Sequence, residues 1–262
     1  MGRIAVGIIC KTPAPGRSKT RLSPPLRPEE CSLISACFIR DLSRTIGQLA
    51  QESEGPCERA GVGMGDVVGC AVYTPIGSET ALLSLLPEGF LLLPQVEGDF
   101  GERLFHGIDV LLQFHDGVLL VNSDSPTLPV EILRAAVEAV REGDNVVLSP
   151  AADGGYTLIG LSRSHRRLFE EIEWSTATVF ERTLDRAAEI GLPVVTVPGW
   201  YDVDDAADLR VLEDELLGTA PASLPMKGAD APTTRRFLLD RRGASVQDRY
   251  RATTGAVAAE AD

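Results

Sequence analysis

The chain has 262 residues, 44% of them hydrophobic and 24% charged, with 25 Lys and Arg against 38 Asp and Glu and a formal net charge of -13. That length is enough for one large α/β domain with an ordinary core, and the acidity argues against nucleic acid or an anionic membrane as partner. No apolar stretch reaches the roughly eighteen residues of a membrane helix, and the apolar run at 4–10 is too short for a signal peptide, so a cytoplasmic protein is expected.

Strand-like and helix-like runs alternate along the chain. Residues 3–10 are predicted as the first strand and 28–51 as a long helix, opened by Pro28 with Glu29 and Glu30 where the helix dipole favours acids. A Gly- and Glu-rich loop runs to Asp66. Strands at 67–74 and 90–94 flank a helix at 79–86. Leu104, Phe105, Ile108, Leu111 and Leu112 then recur at helical spacing. A wholly apolar strand at 118–121 is followed by a helix at 129–141, a strand at 145–148 and an extended stretch at 156–161. A helix at 177–190, a strand at 193–197 and a helix at 205–217 complete the pattern. Strands apolar on both faces, alternating with helices, specify an α/β three-layer sandwich with a mostly parallel central sheet. From residue 218 the periodicity stops, apart from Phe237-Leu238-Leu239. The expected division is a domain at 1–217 and a tail at 218–262 that is flexible or packs on a neighbouring subunit, as in a homodimer. The five cysteines (Cys10, Cys31, Cys37, Cys57 and Cys70) form no Cys-x-x-Cys pair and read as reduced, mostly buried thiols.

The first chemical signal is the loop after the first strand, Lys-Thr-Pro-Ala-Pro-Gly-Arg-Ser-Lys-Thr-Arg-Leu at 11–22. Its prolines and glycine exclude helix and ladder, so Lys11, Arg17, Lys19 and Arg21 gather at the carboxyl edge of the sheet, where open α/β folds bind ligands. Four cations without an acid, in an acidic chain, suit a small polyphosphate. A merely solvated basic loop is the alternative.

Carboxylates form the second signal. Asp124 follows the strand at 118–121, and Asp202 and Asp204, two apart in an extended segment, follow the strand at 193–197. Three such oxygen donors suit Mg2+ or Mn2+, whose remaining ligands come from phosphates and water. Asp204 or Asp205 can instead cap the last helix, and Asp124 can serve the turn before Pro126.

Two glycine-rich segments add weaker signals. Asp153-Gly154-Gly155-Tyr156 reads as a hairpin turn, or as backbone that lets a ligand approach while Asp153 and Tyr156 offer an acceptor and a stacking face. Gly98-Asp99-Phe100-Gly101 reads as the start of a helix, with or without an anion or base edge on its free N–H groups. Trp174, before Ser175 and Thr176, is either core or a wall of an acceptor pocket.

In their order, these segments, with Ser-Asp-Ser-Pro-Thr-Leu at 123–128, Asp-Gly-Gly-Tyr-Thr-Leu-Ile-Gly-Leu at 153–161 and Asp-Val-Asp at 202–204, resemble the bacterial "transferase 1" family associated with radical-SAM and selenodomain proteins. The resemblance spans about residues 3–217. It implies the nucleotide-diphospho-sugar transferase (GT-A, Rossmann-like) fold and a glycosyltransferase activity. Parts also resemble the phospholactate and molybdenum-cofactor guanylyltransferases of the same superfamily. There the Lys-Thr-Arg-Leu loop grips a triphosphate, an Asp-x-Pro strand end supplies one metal ligand, and an Asp-Val-Asp-Thr-Pro-x-Asp-Leu segment supplies others. These fall here on residues 19–22, 124–126 and 202–209. Asp205-Ala206 stands where that pattern has Thr-Pro, and the basic loop is longer between Lys11 and Lys19.

The expectation is therefore a Mg2+- or Mn2+-dependent transferase with a nucleotide donor and a small-molecule acceptor. The four loop cations favour nucleotidyl transfer from an NTP to a small anionic acceptor with pyrophosphate release, and the family label favours glycosyl transfer from a nucleotide-diphospho-sugar. A nucleotide-sensing pseudo-enzyme is the reading outside catalysis. Arg21, Lys19, Asp124 and Asp153 are the expected catalytic set, Lys19 and Arg21 as phosphate clamps and Asp153 as acceptor-side base or orienter. Lys11, Arg17, Gly98, Asp99, Gly101, Gly154 and Gly155 join Lys19 and Arg21 around the nucleotide. Tyr156 and Trp174 line the acceptor pocket, and Asp124, Asp202 and Asp204 hold the metal.

Overall fold

On β1 (Ile4–Lys11), Ile4, Val6, Ile8 and Cys10 face one side of the sheet while Ala5 and Ile9 face the other, the period of two that a strand imposes. Both sets are buried, which places β1 at the centre of a sheet covered on both faces. The computed structural model describes residues 2–53, 67–218 and 224–243. Most of the Gly- and Glu-rich loop before Asp66, Cys57 with it, lies outside the described residues, as do both ends of the tail.

Six further strands complete the sheet: β2 (Val67–Thr74), β3 (Leu91–Pro94), β4 (Gly117–Asn122), β5 (Val146–Pro150), β6 (Tyr156–Leu161) and β7 (Val194–Thr196). Their order is β3-β2-β1-β4-β6-β5-β7. All neighbours are parallel except at β6, which is antiparallel to both β4 and β5. The exception has a local cause. Only a short turn containing Asp153-Gly154-Gly155 joins β5 to β6, and a connection that short can only form a hairpin.

Helices α1 (Pro28–Ser53) and α4 (Val130–Arg141) cover one face through Ile39, Leu42, Ile46, Ile132, Ala136 and Val140. Helices α3 (Phe100–Leu112) and α5 (Val179–Glu189) cover the other through Leu104, Ile108, Leu111 and Ala187. Helix α2 (Glu79–Leu83) is shorter than the predicted 79–86. Pro129 is extended (ψ 138°) and stands just before α4 rather than within it. Helix α6 (Ala206–Leu217) closes the pattern. The described cysteines, Cys10, Cys31, Cys37 and Cys70, are free and buried.

The tail contains a helix that sequence periodicity did not signal, α7 at 232–243. Its first amides, Thr233 and Thr234, donate to the buried carboxylate of Asp41 on α1 at 3.0 and 2.7 Å. Leu238 enters a third core with Leu22, Ile34, Phe38, Val203 and Leu212. The described part of the tail therefore packs on its own chain. Leu22 and Val203 belong to the two loops that build the candidate site, so this core also supports that site.

Candidate active site

The loops after β1, β4 and β7 and the β5–β6 hairpin converge at one edge of the sheet, beyond the carboxyl ends of the parallel strands. In the β1 loop, Ala14 donates its amide to Ser18 Oγ at 3.0 Å, and the Ser18 amide returns to the Ala14 carbonyl at 3.1 Å. Lys19 then adopts a left-handed conformation (φ 47°, ψ 42°) ahead of a single 3-10 turn, Thr20–Leu22. Leu22 is wholly buried and anchors that turn. The result sends Lys19 inwards and Arg21 outwards, their side chains 8% and 72% exposed.

Lys19 Nζ donates to the Val203 carbonyl at 2.7 Å and lies 2.9 Å from both Asp124 Oδ1 and Asp204 Oδ1. Three acceptors match the three protons of an ammonium. Burial works against this charge, but Asp124 and Asp204 outweigh it and hold the Lys19 pKa above the ordinary lysine value. Lys19, expected as a phosphate clamp, is thus engaged by carboxylates. Lys11 and Arg17 are exposed, and Arg21 touches Asp204 only at 3.8 Å, so these cations of the loop are open to solvent where Lys19 is not.

The acids are positioned by backbone. Val203 donates its amide to the Asp124 carbonyl at 2.9 Å, and Ser125 Oγ donates to the Tyr201 carbonyl at 2.9 Å, so the loop after β7 lies along the loop after β4. Asp205 and Asp208 are spent on α6: the Asp205 carboxylate accepts from the Ala207 and Asp208 amides, and Asp208 accepts from the Asp204 and Asp205 amides. Those helical amides hold the Asp205 carboxyl below its ordinary range. The Asp204 side chain is left to face Lys19 and the crevice.

Asp153, Asp202 and Asp204 each offer a carboxylate oxygen, all within 4.8 Å of one another. Here the grouping differs from the expected Asp124, Asp202 and Asp204. Asp124 is drawn to Lys19, and the hairpin brings Asp153 across in its place. Asp153 is held by its own turn, accepting the Gly155 amide at 2.9 Å. Gly154 makes that turn with φ +88°, and a Cβ there would stand 2.1 Å from the Ala177 carbonyl. Burial first, then the charges of Asp153, Asp204 and Asp124, push the Asp202 carboxyl up to about 7. Hard oxygen donors crowded until one resists ionisation are a donor set that fits Mg2+ or Mn2+.

Two chambers meet at this cluster. One, about 250 Å³, is lined by Lys11, Arg17, Arg21, Ser123, Asp124 and Asp204, and also by Ser35 of α1. The other, about 660 Å³ and of ordinary small-molecule size, holds the acid triad and is walled by Phe100, Tyr156, Trp174 and Tyr201. Arg21, Asp124 and Asp204 line both. Phe100 and Trp174 meet edge to face with centroids 5.2 Å apart.

The remaining expected residues have local duties. Asp99 caps α3 by accepting the Glu102 amide at 2.8 Å, with the Glu102 carboxylate returning to the Asp99 amide. Gly98 turns the chain before that cap, and Gly101 lets α3 approach Phe169 and Trp174, where a Cβ would come within 2.7 Å of the Phe169 carbonyl. Gly98, Asp99 and Gly101 line neither chamber, whereas Gly155 lines the larger. Sequence reasoning missed Phe100, Tyr201 and Ser35. Phe100 stands inside the Gly98–Gly101 segment and Tyr201 beside Asp202, so neighbours of the quoted motifs carried that signal; nothing in the sequence marks Ser35.

The fold, an α/β sandwich with a single antiparallel strand in an otherwise parallel seven-stranded sheet, is one that solved structures share. A crystal structure from Desulfovibrio desulfuricans G20, described as a "putative nucleotide-diphospho-sugar transferase", is similar with a TM-score of 0.72 and 24% identity, over 93% of this chain and 97% of that one. A cytidylyltransferase from Leptospira borgpetersenii is more distant (TM-score 0.47, 11% identity, 92% of this chain and 95% of that one). So is glucosyl-3-phosphoglycerate synthase from Mycobacterium tuberculosis, solved with Mn2+, UDP and glucosyl-3-phosphoglycerate (TM-score 0.47, 11% identity, 85% and 82%). The family model "Uncharacterized protein conserved in bacteria (DUF2064)" matches residues 64–176, which include Asp124, Asp153 and Trp174. No curated protein matches the sequence. Among the described residues, no helix is long and apolar enough to cross a membrane.

Proposed function

We propose that this protein is a divalent-metal-dependent transferase that takes a nucleotide donor, and that it transfers a nucleotidyl group from an NTP to a small anionic acceptor with release of pyrophosphate. The observation that carries the reading is the shared wall of the two chambers: Arg21, cationic and exposed, and Asp204, a member of the acid triad, line both. A polyphosphate on Lys11, Arg17 and Arg21 would thus end beside a cation held by Asp153, Asp202 and Asp204. When bound, that ion would supply Lewis-acid neutralisation of phosphate oxygens.

The residues of the chain divide the remaining work. Arg21 meets negative charge as it shifts towards the leaving phosphates, a task suited to a fixed cation at the boundary. Phe100, Tyr156, Trp174 and Tyr201 form the apolar wall of the acceptor side. An anionic acceptor attacking phosphorus needs no base, so Asp153 serves the cation rather than a proton. The resemblance to the radical-SAM- and selenodomain-associated transferase 1 family supports the coarser part of this reading, a transferase with a nucleotide donor, while its label favours glycosyl transfer.

Glycosyl transfer is the second reading, and the aromatic wall favours it, because ring faces suit a sugar as well as an acceptor. Product analysis separates the two. Incubation with each NTP and with several nucleotide-sugars, in Mg2+ or Mn2+ and with small phosphorylated or carboxylated acceptors, is expected to release pyrophosphate. Release of nucleoside diphosphate instead would establish the glycosyl reading. Tight nucleotide binding with neither product would overturn both and leave a sensor.

A further inference from the structure

Three oxygens converge on a single point between the loops after β4 and β7: Asp124 Oδ1 and Asp204 Oδ1 at 2.9 Å and the Val203 carbonyl at 2.7 Å. Two carboxylates and a carbonyl aimed at one point form a cation site of hard donors. The group at that point is the Lys19 ammonium. We infer that Lys19 is a built-in cation that holds Asp124 against Asp204 in the place of a second metal ion, which leaves the site room for one divalent ion, on Asp153, Asp202 and Asp204. The inference rests on the reading above in one respect, that the acid triad takes a divalent ion.

The geometry explains why the ammonium stays. Its three protons are matched by three acceptors, so none is free for a phosphate. The side chain is 8% exposed. Its backbone is in the left-handed region that a lysine rarely adopts, pinned by buried Leu22 on one side and the Ala14–Ser18 turn on the other. The Val203 amide on the Asp124 carbonyl fixes the two acceptor loops to each other. A tethered cation of this kind cannot exchange with solvent, and it holds Asp204 with one oxygen on Lys19 while the same carboxylate belongs to the triad.

The charge balance points the same way. Asp124, Asp153, Asp202 and Asp204 bring four negative charges to the cluster, and Lys19 cancels one. A single divalent ion cancels two more, and exposed Arg21 stands at the rim for the last. If Lys19 were absent, the three oxygens would need to close in by less than about 1 Å to bind a divalent ion directly, since such bonds run from about 2.0 to 2.6 Å. Lys19 is therefore a positioning residue that also sets the metal count.

The test counts ions. Mn2+ is titrated into the full chain and into Lys19→Met, with free Mn2+ followed by its electron paramagnetic resonance signal and heat by calorimetry. The expected result is one Mn2+ per chain in the wild type and two in Lys19→Met, with dipolar broadening in the bound spectrum of the variant. No gain of an ion in Lys19→Met, whatever the affinity, overturns the inference. Failure of the functional reading is a separate result: a wild type that binds one Mn2+ but transfers no group from NTPs or nucleotide-sugars sinks the transferase and leaves the inference standing, whereas a wild type that binds no Mn2+ overturns both. Should Lys19→Met fail to fold, Asp124→Asn carries the test. Because Asp124 serves Lys19 and not the ion, one Mn2+ should bind within about fivefold of the wild-type affinity, and a larger weakening overturns the inference.

Discussion

Asp153 on the β5–β6 hairpin and Asp202 after β7 bring carboxylate oxygens within 4.8 Å of each other, with Asp204 completing the group. Like charges held this close cost free energy unless protons or a cation offset them. The cost is visible in Asp202, whose carboxyl burial and its acidic neighbours push up to about 7.

This sets a pH dependence. Asp202 is raised in the folded chain relative to the unfolded one, so between the ordinary aspartate range and about pH 7 the folded state binds more protons. Stability from this group is complete at low pH and falls as pH rises through about 7. A cation on the triad reverses that loss, since it binds the ionised form. Added Mg2+ should therefore raise Tm more at pH 8 than at pH 5.5, and Asp202→Asn should flatten the difference. Equal Mg2+ shifts at the two pH values would contradict the grouping of these acids.

Gly154 tests how the hairpin sets the triad. With φ +88° and the Ala177 carbonyl 2.1 Å from where a Cβ would be, Gly154→Ala strains the turn and drives it from the segment that leads into α5. The expected loss is about 1–3 kcal/mol of stability. Asp153 moves with the turn, so the Mn2+ affinity of the folded variant should drop at least tenfold. Thermal unfolding and a Mn2+ titration read the two effects separately. An unchanged Mn2+ affinity would show that Asp153 is not a ligand.

Much of this architecture is legible in the sequence because the strands are buried on both faces and read as short apolar runs. Val67–Thr74 and Tyr156–Leu161 have the boundaries their apolar pattern suggests. What pattern cannot convey is partnership. The cations at Lys19 and Arg21 look alike in sequence, yet a left-handed residue and a buried Leu22 send one into the acids and the other into solvent. Asp153, read as an acceptor-side group, stands with Asp202 and Asp204 in the place expected of Asp124, and Asp124 pairs with Lys19, because hairpin reach, a tertiary quantity, decides which carboxylate meets Asp202. Helix α7 is invisible to periodicity for a related reason. Its burial is confined to a few residues, Ala231 just before it and Thr234 and Leu238 within it, and its start is capped by Asp41 from a distant helix.

Arg21 is the residue whose role divides function from stability most cleanly. Its side chain is 72% exposed and its contact with Asp204 is 3.8 Å, a pairing worth little to the fold. If it meets the transferring phosphates, Arg21→Ala should lower kcat/KM about 100-fold or more, the scale for losing one fixed charge at a transition state. Tm should stay within about 1 °C, as for a surface change. Steady-state kinetics beside a melting curve decides it. Activity within twofold of the wild type would remove Arg21 from the reaction.

Asp41 links the tail to the site. Its carboxylate is buried on α1 and takes the Thr233 and Thr234 amides, the first turn of α7. Such a cap satisfies N–H groups that would otherwise be orphaned, and a charged acceptor strengthens it. Asp41→Ala should cost about 2–3 kcal/mol and lower Tm by about 5–10 °C, while Asp41→Asn, which keeps one acceptor, should fall between. Loosening α7 withdraws Leu238 from the core that seats Leu22 and Val203, so the effect should reach the loops holding Lys19. Hydrogen exchange read by mass spectrometry should then show faster exchange at 18–24 and 201–205 as well as at 232–243. Faster exchange in α7 alone would mean that the tail helix and the candidate site are energetically separate.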